Sequence, residues 1–224
     1  MKVGLVYTST TPELIELVES EIKKVLGSKV DMVSFKDPSI LAEIRENGYV
    51  TAKATSRLVT MYMEAVNAGV DAIINLCSSV GEVADAVQDL ARYIGVPIVR
   101  IDEEMCREAV RLGSKIAVMA TLPTTMEPTK NTIKRVAREI GKPVELVDAL
   151  LDGAFGLNQD EFKARMLQKA GEVEKEVEVI IFAQGSMAYC EPVIAKAYGK
   201  PVLSSPRFGA VALKNALIAK GLIK

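Results

Sequence analysis

A chain of 224 residues with 28 basic and 29 acidic side chains is close to neutral, so it lacks the basic surplus that nucleic acid or an anionic membrane attracts. Hydrophobic residues at 49% and aromatics at 5% supply an aliphatic core for one large or two small domains and rule out wholesale disorder. Histidine is absent, which removes the imidazole base, the Ser/His triad and the His-ligated metal.

The N-terminal run Met1-Lys2-Val3-Gly4-Leu5-Val6-Tyr7 carries one charged side chain and stops at Thr8-Ser9-Thr10. Without a signal-peptide core or cleavage site, it reads as a first buried strand. Further strands are predicted at 30–35, 72–76, 97–101, 116–120, 144–147, 179–183 and 201–203. Amphipathic segments separate them, the alternation of an α/β fold with parallel sheets. A helix is predicted over 79–95, where Val80, Val83, Ala84, Val87, Leu90, Ala91 and Ile94 form one apolar stripe and Gly95 supplies the stop. No apolar stretch reaches the roughly 20 residues that span a bilayer. The cysteines, Cys77, Cys106 and Cys190, are odd in number and far apart, which indicates neither a disulfide framework nor a metal knuckle and suits a cytoplasmic location.

The chain also repeats itself. Lys2-Val3-Gly4-Leu5-Val6 is echoed by Lys115-Ile116-Ala117-Val118-Met119, Asp71-Ala72-Ile73-Ile74 by Glu178-Val179-Ile180-Ile181, and Gly95-Val96-Pro97-Ile98-Val99 by Gly199-Lys200-Pro201-Val202-Leu203. The offsets are 113, 107 and 104 residues, each near half the chain. Two pseudo-symmetric α/β lobes are expected, residues 1–98 with 206–224 and residues 99–205. Ligands of such units bind beyond the carboxyl ends of the strands, so the active site is expected in a cleft between the lobes.

The loops at those ends are rich in hydroxyls: Thr8-Ser9-Thr10, Cys77-Ser78-Ser79, Thr121 with Thr124-Thr125, and Gln184-Gly185-Ser186. Each could be an ordinary helix cap, and Ser79 with Glu82 has the capping-box spacing. Four such loops in equivalent places also suit a small carboxylate. Cys77 is either a small buried hydrophobe or a reactive thiol whose pKa the following helix terminus lowers. Cys106 lies in a helical run and is expected to pack. In the repeat, Leu76-Cys77 is expected to correspond to Gly185-Ser186, which makes Ser186 the counterpart of Cys77. Cys190, one turn further along, is expected to pack but stands as a candidate second acid/base.

With Cys77-Ser78-Ser79 after one strand and Gln184-Gly185-Ser186-Met187-Ala188 after its repeat, the chain resembles the aspartate/glutamate/hydantoin racemase superfamily. The likeness extends to Arg100-Ile101-Asp102-Glu103 and to Ala120-Thr121-Leu122-Pro123-Thr124-Thr125. It implies a cofactor-independent racemase or epimerase in which two thiols on opposite faces exchange the proton α to a carboxylate. Cys77 matches the first catalytic cysteine, and Ser186 stands where the second is expected. Substrate contacts are implied for Thr8, Ser9, Thr10, Ser78, Ser79, Thr121, Thr124, Thr125 and Met187. Thr8 and Ser9 replace the Asp-Ser of glutamate racemases, and the histidine usual beside the second cysteine is missing. The family also includes decarboxylases and cis-trans isomerases that rely on one cysteine. A carboxylate-binding module without chemistry is the reading outside enzymology. No GxGxxG or Walker A pattern follows any strand, and neither metal nor pyridoxal phosphate is expected. The expected partner is a small carboxylate, with room for a homo-oligomer and none for nucleic acid or membrane.

Overall fold

Runs of three to six residues form the strands, mostly aliphatic in the central ones. Where both faces of a parallel sheet are covered by helices, every position of a central strand must be apolar or small. The computed structural model describes residues 1–223. The chain divides into two units, Met1–Ile101 with Pro206–Lys224, and Asp102–Ser205.

In the first unit β1 (Lys2–Tyr7) leads through α1 (Pro12–Leu26) to β2 (Asp31–Lys36), then through α2 (Pro38–Asn47) and α3 (Ala52–Asn67) to β3 (Ala72–Asn75). A 3-10 turn (Ser78–Val80), α4 (Gly81–Ala86) and α5 (Gln88–Ile94) lead to β4 (Ile98–Arg100). The sheet is parallel in the order β2-β1-β3-β4. Central β3 is buried throughout, whereas edge β2 alternates in exposure. One face of the sheet packs Val6 and Ile73 against Leu58, Tyr62 and Ala65 of α3. The other packs Val3, Leu5 and Ile74 against Val18 and Ile22 of α1. Burial of each such side chain is worth about 1.5–3 kcal/mol.

The second unit runs α6 (Glu103–Leu112), β5 (Lys115–Ala120), α7 (Pro123–Ile140), β6 (Glu145–Leu150), α8 (Gln159–Val173) and β7 (Val179–Phe182). A 3-10 turn (Gly185–Cys190), α9 (Glu191–Tyr198) and β8 (Val202–Ser204) complete it. Its sheet order, β6-β5-β7-β8, repeats that of the first. So does the register: Val3 pairs with Ala72 and Gly4 with Ile73, as Ile116 pairs with Val179 and Ala117 with Ile180. α10 (Ser205–Ala219) then returns to the first unit, where Ala210, Leu213 and Leu217 join the core on the α1 face.

Two expectations change. The sequence reading cuts the chain between residues 98 and 99, through the strand that pairs with β3; the structure keeps β4 whole in the first unit and divides after Ile101. The single helix expected over 79–95 is three pieces, broken at Val87. At the break Gln88 Nε2 donates to the carbonyls of Ala84 at 2.7 Å and Ile98 at 2.9 Å. The side chain thus takes up a carbonyl that a continuous helix would use, a recognised cause of kinks. Gly95 does end α5, at φ 71°.

Candidate active site

In the first unit Cys77 follows β3 in extended conformation, at φ −136° and ψ 115°, and opens the turn Ser78–Val80. Burial is the largest influence on its thiol and pushes the pKa above the ordinary thiol value, although the residue keeps partial exposure. Working the other way are the hydroxyls of Thr8 and Ser79 and the backbone N–H groups of Ser79 and Val80, all of which favour thiolate. The net direction corrects the expectation of a lowered pKa: the helix terminus contributes, but desolvation outweighs it. Ser79 is likewise no helix cap. Its hydroxyl addresses the Cys77 sulfur, and both the 3-10 turn and α4 begin without a side-chain cap.

The backbone at Cys77 is held from beneath. Tyr62 Oη, from α3, donates to Asn75 Oδ1 at 3.1 Å, and Asn75 Nδ2 donates to the Cys77 carbonyl at 2.9 Å. Arg100 from β4 is only 3% exposed and pairs through Nη1 with Asp85 Oδ2 at 2.6 Å. Its guanidinium lies against Gly81, where an added Cβ would be 2.3 Å from Nη2. Glycine at 81 therefore makes room for a buried cation immediately after the Cys77 turn.

Thr8, after β1, is fully buried, and its Oγ1 has no hydrogen bond of ordinary geometry, although the hydroxyl bears on Cys77. Tyr7 Oη is also buried without a partner. Ser78 and Ser79 are buried beside Cys77 in sequence, while Ser9 and Thr10 are partly exposed. Thr10 donates to the Thr11 carbonyl, and Thr11 caps α1. Hydroxyls left without a partner under protein cover cost about 1–3 kcal/mol each.

In the second unit Thr121 follows β5 as Thr8 follows β1. Its N–H donates to Gln184 Oε1 at 2.7 Å, and Gln184 Nε2 donates to its hydroxyl at 2.8 Å. Thr125 is buried, and the buried Thr124 Oγ1 has no partner. Neither caps α7, whose N-cap position, Leu122, offers no side-chain cap. At the end of β8, Ser205 Oγ is buried without a partner.

The register overturns the expected counterpart of Cys77. Leu76 N–H donates to the Val6 carbonyl, and Ala183 N–H donates to that of Met119, the same ladder position in each sheet. The next residues are Cys77 and Gln184, each extended and each opening a 3-10 turn. Val80 N–H then bonds the Cys77 carbonyl at 3.3 Å, as Met187 N–H bonds that of Gln184 at 3.1 Å. Gln184 therefore holds the place of Cys77, and Ser186, which is exposed, holds that of Ser79.

Met187, expected to touch substrate, is instead 1% exposed in the second unit's core with Phe182 and Ile194. Cys190 lies in the same core, where burial pushes its thiol up to about 11. The neighbouring Tyr189 is pushed up to about 12, chiefly by burial. Cys106 is fully buried in α6. The sequence reading missed the roles of Asn75, Tyr62, Arg100 and Gln184. Asn75 alone carried a signal, as the polar end of an otherwise apolar run. Among the described residues no three His, Cys, Asp or Glu side chains group as metal ligands, and no helix is long and apolar enough to cross a membrane.

The sequence model of a family described as Asp/Glu/hydantoin racemase matches residues 3–213. Among solved structures, a glutamate racemase from Bacillus anthracis superposes with a TM-score of 0.73 at 16% identity, covering 98% of this chain and 82% of that one. An allantoin racemase from Pseudomonas fluorescens gives 0.64 at 20% identity, over 99% and 92% of the two chains. Unliganded arylmalonate decarboxylase gives 0.60 at 11% identity, over 96% and 92%. At these identities the likeness establishes the fold. No curated protein matches the chain significantly in sequence.

Proposed function

Since the chain belongs to the Asp/Glu/hydantoin racemase family, we propose that it is a cofactor-independent, racemase-type isomerase that transfers a proton at a carbon next to a carboxylate or ring carbonyl, with Cys77 as the acid/base. The observation that carries this reading is the place of Cys77 at the first turn after the fully buried β3, where neighbouring hydroxyls of Thr8 and Ser79 and the N–H groups of the turn favour its thiolate. In the forward step the thiolate takes the α-proton, so the C–H bond breaks and an S–H bond forms. The electron pair moves onto the carbonyl as an enolate, where hydroxyls and N–H groups of the Thr8 and Ser78-Ser79 loops stabilise it.

The loops after β1 and β3 offer hydroxyls and no carboxylate between Thr8 and Thr11 or between Cys77 and Gly81. That chemistry suits anionic or neutral oxygen rather than an α-ammonium group, and favours a hydantoin-like imide over a free amino acid. The free cysteines suit a reducing cytoplasm.

A second reading, a decarboxylase or cis-trans isomerase with one working thiol, is favoured by Gln184, a group with no proton to exchange near neutral pH. The test is a panel of hydantoins, α-amino acids, substituted malonates and cis-dicarboxylates incubated in deuterated water and followed by NMR. Deuterium uptake at the α-carbon together with appearance of the opposite enantiomer on chiral chromatography, without net loss of carbon dioxide, supports the first reading. Carbon dioxide release or cis-trans conversion supports the second. Binding of panel members without any turnover would overturn both and leave a binding module.

A further inference from the structure

Asn75, the last residue of β3, is fully buried and bonded to Tyr62 of α3. Its ladder partner on β4 is Arg100, buried and ion-paired with Asp85 of α4. Polar groups under cover add no apolar stabilisation, and each must find a partner. The second unit builds the same corner without them. Asn75 pairs with Val6 and Arg100 in the first sheet; Phe182 pairs with Met119 and Ser204 at the same ladder position of the second. Phe182 lies in a hydrophobic core with Phe162 and Met166 of α8. A sheet of this register thus closes with an apolar residue where the first unit carries an amide, so the strand itself has no need of Asn75. Two residues further on, the first unit has a thiol and the second has Gln184.

The amide reaches the peptide of that thiol. Asn75 Nδ2 donates to the Cys77 carbonyl at 2.9 Å, and Tyr62 Oη, donating to Oδ1 at 3.1 Å, fixes which end of the amide points there. A second donor to the same carbonyl is the Val80 N–H, at 3.3 Å. This N–H also favours the Cys77 thiolate, so carbonyl and sulfur compete for it.

We propose that Asn75 is a positioning residue for Cys77: its amide satisfies the Cys77 carbonyl and so leaves the Val80 N–H to the sulfur when the thiol ionises. Asn75 touches no reacting atom and acts through this turn. Its part in catalysis rests on the proton-transfer reading of Cys77; its effect on the thiol does not. The ionisable groups bearing on this corner are Tyr62, Arg100 and Asp85, and all three stay in place when Asn75 alone is changed.

The test is the pH profile of Cys77 alkylation by iodoacetamide, resolved by peptide, in folded protein. Asn75→Leu, close to asparagine in shape, removes the donor. The profile should move up by about one pH unit, so that alkylation at neutral pH slows about tenfold. A merely structural loosening would expose the sulfur and speed alkylation at every pH. Asn75→Ser, one bond too short to reach the carbonyl, should shift the profile the same way and carries the test if Asn75→Leu does not fold. Phe182→Leu should lower the urea midpoint yet leave the Cys77 profile within about 0.3 pH unit of wild type, since a packing loss there moves no donor to the sulfur. An unmoved profile in the Asn75 variants, faster alkylation throughout, or an equal shift in Phe182→Leu would overturn the inference.

A turnover arm separates this failure from failure of the proton-transfer reading. With the best substrate of the panel, Asn75→Leu should lower kcat at neutral pH about tenfold and leave KM within about threefold, the pattern of a group felt in the chemical step. If the alkylation profile shifts and no compound turns over in wild type, the effect of Asn75 on the thiol is upheld and the proton-transfer reading falls. If turnover depends on Cys77 and the profile does not shift, the proton-transfer reading stands and the role of Asn75 falls.

Discussion

Gly81→Ala tests whether the buried cation behind Cys77 shapes the site. The new methyl carbon would lie 2.3 Å from Arg100 Nη2, 2.4 Å from Cζ and 2.6 Å from Nε, far inside any tolerable contact. All three atoms belong to a guanidinium whose side chain is 2% exposed and ion-paired with Asp85, so it cannot swing freely into water. Overpacking of this kind costs typically 1–3 kcal/mol. Partial loss of the Asp85 pair adds less than a fully buried pair would, because Asp85 is 35% exposed. A destabilisation of about 2–4 kcal/mol follows, or roughly 4–16 °C in Tm for a chain of this size. Because Gly81 adjoins the turn whose N–H groups address Cys77, iodoacetamide alkylation of Cys77 should slow as well. Urea titration and peptide-resolved alkylation measure the two effects, and Gly81→Ala combined with Arg100→Ala should recover part of the loss by removing the clash. Gly81→Ala within about 0.5 kcal/mol of wild type, with unchanged alkylation, would refute the packing argument.

Two further outcomes follow from the same geometry. Cys190 has its folded pKa raised from 9.0 to about 11, so its contribution is complete below pH 9 and is lost as pH rises from 9 to 11. That amounts to roughly 2–3 kcal/mol by linkage, and the fall in urea midpoint over this range should be shallower in Cys190→Ala than in wild type. Tyr62→Phe removes the donor to Asn75 Oδ1 and should cost about 1–2 kcal/mol in urea titration while leaving the far-UV spectrum unchanged; no loss would mean that the Asn75 bond to the Cys77 carbonyl needs no support from α3.

The central strands were legible because fully covered parallel strands leave continuous aliphatic runs, as in Ala72-Ile73-Ile74 and Val179-Ile180-Ile181, and the edge strands β2 and β6 because their apolar residues are interleaved with polar ones. The break at Val87 was not, since it depends on Gln88 reaching the carbonyl of Ile98 in another element. The thiol position of the second unit was misread for a related reason. The repeat offset drifts along the chain, and only the ladder bond from Ala183 to Met119 chooses Gln184 over Ser186. The helix-terminus reading of Cys77 omitted desolvation, which depends on what the fold packs around the sulfur. Met187 was misread because no sequence signal separates a strand-end loop from the interior, where its side chain packs.

The central claim, that Cys77 moves the proton, is tested most directly by the pH dependence of α-deuteration of the best panel compound in wild type and Cys77→Ala. Since burial raises the thiol pKa, the thiolate fraction and hence the wild-type rate should climb with pH through and beyond the ordinary thiol range. Cys77→Ala should lose on the order of 10²–10⁴ in rate and the pH dependence with it. A Cys77→Ala protein that keeps both the rate and the climb with pH would contradict the account.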